Sequence, residues 1–286
     1  MNRVQFGWVV PVEGTTPGST QPLLATYEAE ILPAFAQHFD SFWAFDHFYG
    51  FGGYPTRSFM ECWTTLTWLA ARYPKQWIGP VVMGVGYRNP ALVAKMGASL
   101  QALSGGRFVL GIGAGWREEE FHAYGYPFPT SSARIAQLEE AIQIIRLMWT
   151  ESAPSFQGKY FQIAEAYCPP MPVPPPPIMV GGAGEQLMLP LIARLADWWN
   201  IGDMPDLATY RHKRDLLFRN LEKIGRDPAT LRLTVQRAGK PLPESREDSQ
   251  RWVDELLPFV EMGFSTFMLD FGLVPSTEPV ERFWED

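Results

Sequence analysis

The chain is poor in the side chains that bind metals or build disulfides. Its 286 residues include two cysteines and four histidines. Cys62 and Cys168 lie far apart with no C-x-x-C spacing, which excludes a disulfide framework and reads as two reduced thiols in a cytosolic protein. His38, His47, His122 and His212 form no His-x-His pair, so the ligand set of a metal-dependent hydrolase is missing and no metal is expected. Charge is sparse too, at 19% of residues with a formal net of −7, and the basic residues are scattered. That argues against nucleic acid as the main partner. No apolar run approaches the length of a membrane span, and the opening residues from Met1 to Trp8 lack the apolar core of a signal peptide.

What is present is an alternation of short apolar runs with helical periodicity. Strands are predicted at Arg3–Val10, Ser41–Asp46, Trp77–Gly86, Arg107–Gly113, Ile178–Val180, Ala196–Ile201, Leu231–Gln236 and Ser265–Leu269. Helices are predicted at Leu23–Gln37, Phe59–Ala71, Pro90–Leu103, Ile135–Trp149, Gln186–Leu195, Pro205–Ile224 and Gln250–Met262. In the third of these, Asn89 is a good N-cap, Pro90 suits the first helical position, and Leu92, Met96, Leu100 and Leu103 fall on one face. The fourth helix carries Leu138, Ala141, Ile142, Ile145 and Met148 on one side. Eight strands alternating with helices in a chain of this length predict an α/β protein: a single (β/α)8 TIM barrel over residues 1–286, with no second domain. An insertion at about 150–177, between the fourth helix and the fifth strand, interrupts the alternation. Phe156–Ile163 reads as a hairpin and Pro169–Pro177 as a polyproline II connector, so the insertion is either a bracing strap or a lid over the site.

The stretch R-N-P-A-L-V-A-K-M, then L-S-G-G-R, then G-I-G-A-G-W-R-E-E-E-F-H-A-Y-G-Y-P-F resembles the luciferase-like flavin and deazaflavin oxidoreductases. P-P-P-I-M-V-G-G-A-G-E followed by A-R-L-A-D-W-W-N continues the match, which runs from about Arg3 to Asn200. Within that superfamily the chain is most similar to the branch that uses the deazaflavin coenzyme F-420.

Barrels of this kind place their sites at the C-terminal strand ends. The resemblance puts the family's Asp-His pair at Asp46-His47, with His47 as the catalytic histidine and Asp46 beside the cofactor. Histidine suits proton transfer near neutral pH, although a structural histidine beneath the aromatic loop His47–Pro55 is the competing reading. Gly111, Gly113 and Gly115 fail as a dinucleotide fingerprint, because the last required glycine is Trp116 and the strand is the fourth. As a barrel loop, Gly113, Ala114, Gly115 and Trp116 would let a flat ring approach the backbone. Some deazaflavin enzymes hold a catalytic carboxylate where this chain has Trp116, which argues against sugar-phosphate oxidation by that mechanism. The neighbouring Glu118, Glu119 and Glu120 read as a solvated face or as helix-start charges.

Gly181-Gly182-Ala183-Gly184 joins a buried strand to a helix, so its backbone N–H groups could receive the cofactor's phosphate. Arg88, Arg117 and Lys159 are candidate counter-charges. The resemblance further implies that Val81, Val82, Met83 and Gly84 back the cofactor ring, with a non-prolyl cis bond between Pro80 and Val81; Met83 departs from the small hydroxyl residue common there. The implied activity is hydride transfer between F-420 and a small organic substrate. The alternatives are an FMNH2-dependent monooxygenase using dioxygen, with FMN as cofactor, and a catalytically silent flavin-binding protein. Apolar, tryptophan-rich helices permit a homodimer.

Overall fold

The computed structural model describes residues 3–13, 27–50, 58–239, 241–272, 274 and 276–285. Its strands are β1 (Gln5–Val9), β2 (Ser41–Ala44), β3 (Trp77–Pro80), β4 (Met83–Gly84), β5 (Leu110–Gly113), the hairpin pair β6 (Phe156–Gln157) and β7 (Gln162–Ile163), β8 (Ile178–Gly181), β9 (Trp198–Ile201), β10 (Arg232–Ala238) and β11 (Phe264–Asp270). The helices are α1 (Ile31–His38), α2 (Cys62–Arg72), α3 (Pro90–Leu103), α4 (Glu118–Ala123), α5 (Ser131–Thr150), α6 (Met188–Leu195), α7 (Leu207–Lys223), α8 (Arg246–Glu261) and α9 (Glu278–Glu285).

All strands but the hairpin form one parallel sheet, in the order β3-β2-β1-β11-β10-β9-β8-β5-β4. Its two ends meet. Ile78 N donates to Arg107 O and Val109 N to Ile78 O, both at 2.9 Å, which brings β3 against the start of β5. Higher up, Met83 and Gly84 pair with Ile112 and Gly113. The predicted third strand is therefore split: its lower half pairs with both neighbours, then the chain leaves the ladder and rejoins it as β4. The cis peptide lies at Val81–Val82 rather than at Pro80–Val81. Val81 N still donates to Ala44 O at 2.9 Å, so Pro80–Val81 remains part of the ladder and the departure comes one residue later.

The barrel interior is packed. Trp43 is fully buried there, its Nε1 donating to Ser41 Oγ at 2.8 Å, among Val9, Val81, Val109, Met179 and Met268. Gly79 makes room for it: a Cβ there would sit 2.6 Å from Trp43 Cζ3. A larger apolar layer lies between the sheet and the helices.

Two helices differ from expectation for physical reasons. In the described part of the predicted helix Leu23–Gln37, Tyr27 is helical, Glu28–Glu30 form a turn and α1 starts at Ile31, two residues before Pro33; proline fits a first turn but would remove a hydrogen bond and clash inside a longer helix. Residues 23–26 of that prediction lie outside the described residues, as do 51–55 of the aromatic loop. On α3 the buried face is Val93, Ala94, Gly97, Ala98, Leu100 and Gln101, while Leu92 and Leu103 are exposed. The small residues allow α3 to press against α5, where Trp149 Nε1 donates to Ala94 O at 2.8 Å, so the larger side chains turn outward. The Asn89 cap forms as expected, accepting from Ala91 N at 2.9 Å. On α5 the five predicted residues are all buried. The short helix α4 and the C-terminal α9 were not anticipated.

The insertion is a strap on the outer wall. The carboxylate of Glu140 on α5 accepts from the amides of Lys159, Tyr160 and Phe161 at 2.8–2.9 Å. The connector ends in Pro175–Pro177, which line a cavity of about 810 Å³ at the N-terminal end of β8–β11, opposite the mouth. Two cis bonds, Pro169–Pro170 and Val173–Pro174, interrupt the expected polyproline II run.

Gly111 on β5 tests how closely the third strand approaches. A Cβ there would overlap the Pro80 carbonyl and lie 2.9 Å from Met179 Cε, whereas one on Gly202 meets nothing within 4 Å. Gly111→Ala is expected to cost about 1–3 kcal/mol, as overpacking does, and to lower Tm by several degrees in thermal unfolding. Gly202→Ala should stay within about 0.5 kcal/mol of the parent.

Candidate active site

At the C-terminal ends of the strands lies a cavity of about 420 Å³, lined on one side by Val81, Val82, Met83 and Gly84 and on another by Gly115 and Trp116. A second cavity of about 290 Å³ adjoins it, sharing Val82, Gly115, Trp116 and Gln236, and is walled by Gly113, Ala114, Gly181 and Gly182. The wall between them is bare backbone for a steric reason. A Cβ on Gly113 would lie 2.9 Å from Val82 Cγ2, and one on Gly181 2.7 Å from the same atom. Val82 occupies the space that side chains on the neighbouring strands would need. This is a cradle that accepts a flat ring against peptide planes.

The structure thus brings together most of the predicted site residues: Asp46, His47, Val81, Val82, Met83, Gly84, Gly113, Ala114, Gly115, Trp116, Gly181 and Gly182 all line one or other cavity. Ala183 and Gly184 do not line either; they carry the turn outward toward α6, and Gly184 is exposed. Lys159 sits on the strap, away from the mouth.

Asp46 is tied up structurally. Its two oxygens accept from Arg88 Nη1 and Nη2, each at 2.8 Å, and Gly84 N donates to it at 3.2 Å. Arg88 also reaches Glu61 at 2.7 Å, so it is spent on this network and does not serve as a counter-charge for a ligand. Burial raises the Asp46 carboxyl above its ordinary value, against the pull of Arg88 and the Gly84 amide. The network fixes β4, and with it the cradle, to the end of β2.

His47 is held by a residue that the sequence reading set aside. Glu120 is fully buried, not solvated. Its Oε2 lies 2.7 Å from His47 Nδ1 and accepts from Tyr87 OH at 2.7 Å, while Oε1 accepts from Phe48 N at 2.6 Å. Burial pushes the Glu120 carboxyl up, but the hydrogen bonds from His47, the Phe48 amide and Tyr87 outweigh it and hold the group below its ordinary value. The Tyr87 hydroxyl is raised by burial and by its bond to Glu120. An ionised carboxylate only accepts, so in the neutral form of the ring the tautomer with the proton on Nδ1 is the one that fits Glu120. Chemically, the arrangement is an imidazole ring fixed from behind by a carboxylate, a geometry that suits proton transfer. Trp116, largely exposed at the mouth, meets the His47 ring edge-on with centroids 5.8 Å apart.

Arg117 is buried and turned inward, donating to Tyr49 O at 2.8 Å, Gly50 O at 3.1 Å and Glu119 at 2.9 Å. A signal for Glu120 did exist: Arg117, Glu120 and Phe121 share one face of a short helix at i, i+3 and i+4, and that face is the buried one. Gln236 and Asp270, at the ends of β10 and β11, also line the main cavity and were not anticipated. Among the described residues, no group of three or more His, Cys, Asp or Glu is placed to hold a metal ion, and no helix is long and apolar enough to cross a membrane.

Residues 4–265 match the family model described as luciferase-like monooxygenase. The chain belongs to this family. Among curated relatives, it is 38% identical over 137 residues to the F-420-dependent glucose-6-phosphate dehydrogenase of Intrasporangium calvum, covering 46% of this chain and 40% of that protein. It is 32% identical over 185 residues to the enzyme of the same name from Kineococcus radiotolerans, covering 63% and 51%. The aligned segments thus span about half or less of those relatives. Among solved structures, an F-420-dependent secondary alcohol dehydrogenase in complex with an F-420–acetone adduct superposes with a TM-score of 0.79 at 19% identity, over 94% of this chain and 93% of that one. That likeness shows the shared barrel.

Glu120→Gln is expected to destabilise the fold by about 1–3 kcal/mol, because a charged acceptor of three hydrogen bonds becomes a half-donor. The sign with pH follows from the lowered carboxyl. Its stabilisation is fully present above the ordinary value of 4.5 and is lost as pH falls through the lower native value. In the Gln variant, a plot of Tm against pH should have a shallower acid limb.

Proposed function

We propose that the chain is an oxidoreductase that binds coenzyme F-420 in the mouth of the barrel and exchanges a hydride with a small organic substrate. The observation that carries this reading is the pairing of a bare-backbone cradle, Val81–Gly84 against Gly113–Gly115 and Gly181–Gly182, with a histidine base at its rim. When bound, the deazaflavin supplies the hydride chemistry at its ring. The chain's own residues do the rest. The cradle orients a planar ring, and the Gly181–Gly182 turn leads toward the helix α6 end that favours an anionic group. His47 takes or returns a proton at the substrate heteroatom through Nε2, and Glu120 stabilises the imidazolium that results. Trp116 covers the mouth and helps to exclude water. Both curated relatives named above are F-420-dependent dehydrogenases, which supports hydride transfer over the oxygen-consuming reaction of a flavin monooxygenase.

Parallel fluorescence titrations with F-420 and FMN test the cofactor, with F-420 expected to bind at least tenfold more tightly; preference for FMN together with oxygen uptake would overturn the reading. His47→Ala should lower turnover by about 10²–10⁴-fold, the usual worth of a positioned base, and leave the F-420 dissociation constant within about twofold of the parent. Weakened F-420 binding with turnover unchanged at saturating F-420 would instead assign His47 to the cofactor.

A further inference from the structure

The two cavities are lined, among the described residues, by four groups that can carry charge: Asp46, His47, Arg117 and Asp270. Three of them have counter-charges. Asp46 is paired with Arg88, His47 with Glu120, and Arg117 with Glu119 and two backbone carbonyls. Asp270 has none. It is the last residue of β11, half-buried, and its Oδ1 accepts from Gly272 N at 2.9 Å; among the described residues, no cation faces it. Arg237, one residue from Ala238, which stands opposite Asp270 across the ladder, is committed to Asp203 at 2.7 Å, to Tyr210 OH at 2.9 Å and to Glu255. Asp203 adds further negative charge nearby, and together with burial it raises the Asp270 carboxyl.

Gln236 lies two residues before Ala238 on β10, lines both cavities, and has no side-chain hydrogen bond within the described residues. The ends of β10 and β11 therefore present an amide and, diagonally across the ladder, a carboxylate on a wall that also carries Ala238, the residue opposite Asp270. The apolar side chains of the same lining are Phe45, Val81, Val82, Met83 and Trp116. A half-buried carboxylate with one backbone donor and no counter-ion has acceptor positions left to fill, and it repels a second anion in the same low-dielectric mouth.

We infer that Asp270 and Gln236 bind the polar end of the substrate, and that this substrate is a largely apolar molecule bearing a hydroxyl or ammonium donor rather than a phosphate ester. The inference rests on the hydride-transfer reading only in calling the occupant a substrate; the wall itself selects donors whatever the chemistry. Asp270 supplies the acceptor, Gln236 a further polar contact on the same wall, and Phe45 and Trp116, outside the cradle assigned to the ring, take the carbon skeleton. Selectivity against anions follows from the missing counter-ion. A sugar phosphate, the substrate named for the curated relatives, meets no available guanidinium or ammonium among the described lining residues.

The test uses three probes that share one skeleton: cyclohexylamine as its ammonium ion, cyclohexanol and cyclohexyl phosphate. Each is titrated by calorimetry into the full chain saturated with F-420 or, where the cofactor titration shows no binding, into the chain alone. The cofactor reading and the selectivity of the wall thus stand or fall separately. The parent is expected to bind the ammonium and the alcohol at least tenfold more tightly than the phosphate. Asp270→Asn should weaken the ammonium by about tenfold, the worth of one charge-assisted hydrogen bond, and erase most of its advantage over the phosphate. Asp270→Glu should keep the ranking and serves as the folding control, and Gln236→Ala should weaken both donors several-fold. Phosphate binding as tight as that of the ammonium, a ranking unchanged in Asp270→Asn, or no binding by any probe would overturn the inference.

Discussion

Everything at the mouth depends on how the third strand closes the barrel. β3 must pair with β5 at Ile78 to shut the ring around Trp43, yet the same strand must leave the ladder at Val81–Val82 to build the floor of the cavity. Both demands are met only because the neighbouring strands carry no side chains where Val82 projects. Gly113 and Gly181 are steric requirements of that departure, and the open backbone they leave is what makes the mouth suitable for a flat ligand. The fold's closure and the site's shape are thus one piece of geometry.

Two buried carboxylates then fix the polar parts to this floor. Asp46, through Arg88 and the Gly84 amide, ties the end of β2 to β4. Glu120, from the helix after β5, reaches back to His47, Phe48 and Tyr87. Each is costly to bury alone and acceptable because its lone pairs are filled. The consecutive residues Asp46 and His47 are therefore held by separate networks, and the imidazole is oriented relative to the cradle rather than merely near it. The bottom of the barrel carries its own large cavity, but it lies at the end where barrels of this kind do not place their chemistry.

Much of this was legible in the chain. Apolar runs marked the strands, glycine spacing marked the cradle, and Asn89-Pro90 marked a helix start that formed as read. What escaped had physical causes. Glu120 stands in a run of three glutamates, and composition alone cannot say that one of them faces inward against a histidine 73 positions away. The outward turn of Leu92 and Leu103 shifted the buried face of α3, with Leu100 still inside, because the small residues Ala94, Gly97 and Ala98 control close helix packing more strongly than leucine spacing does. The cis bond fell one residue late, since the Val81 amide was still needed by β2. Gln236 and Asp270 lie at the ends of strands beyond the part of the chain where the motif match is strong, and only their shared place on one cavity wall gives them meaning.

The hairpin strap, gripped by Glu140 from outside and running down to the prolines beneath β8, leaves the two ends of the molecule with little in common. Heritable change can accordingly fall on them at different rates. Residues at the upper strand ends are open to drift toward new ligands while the strap below keeps the scaffold intact. Grafts or tags placed on the outer wall would ride on a part of the protein that lies away from the mouth.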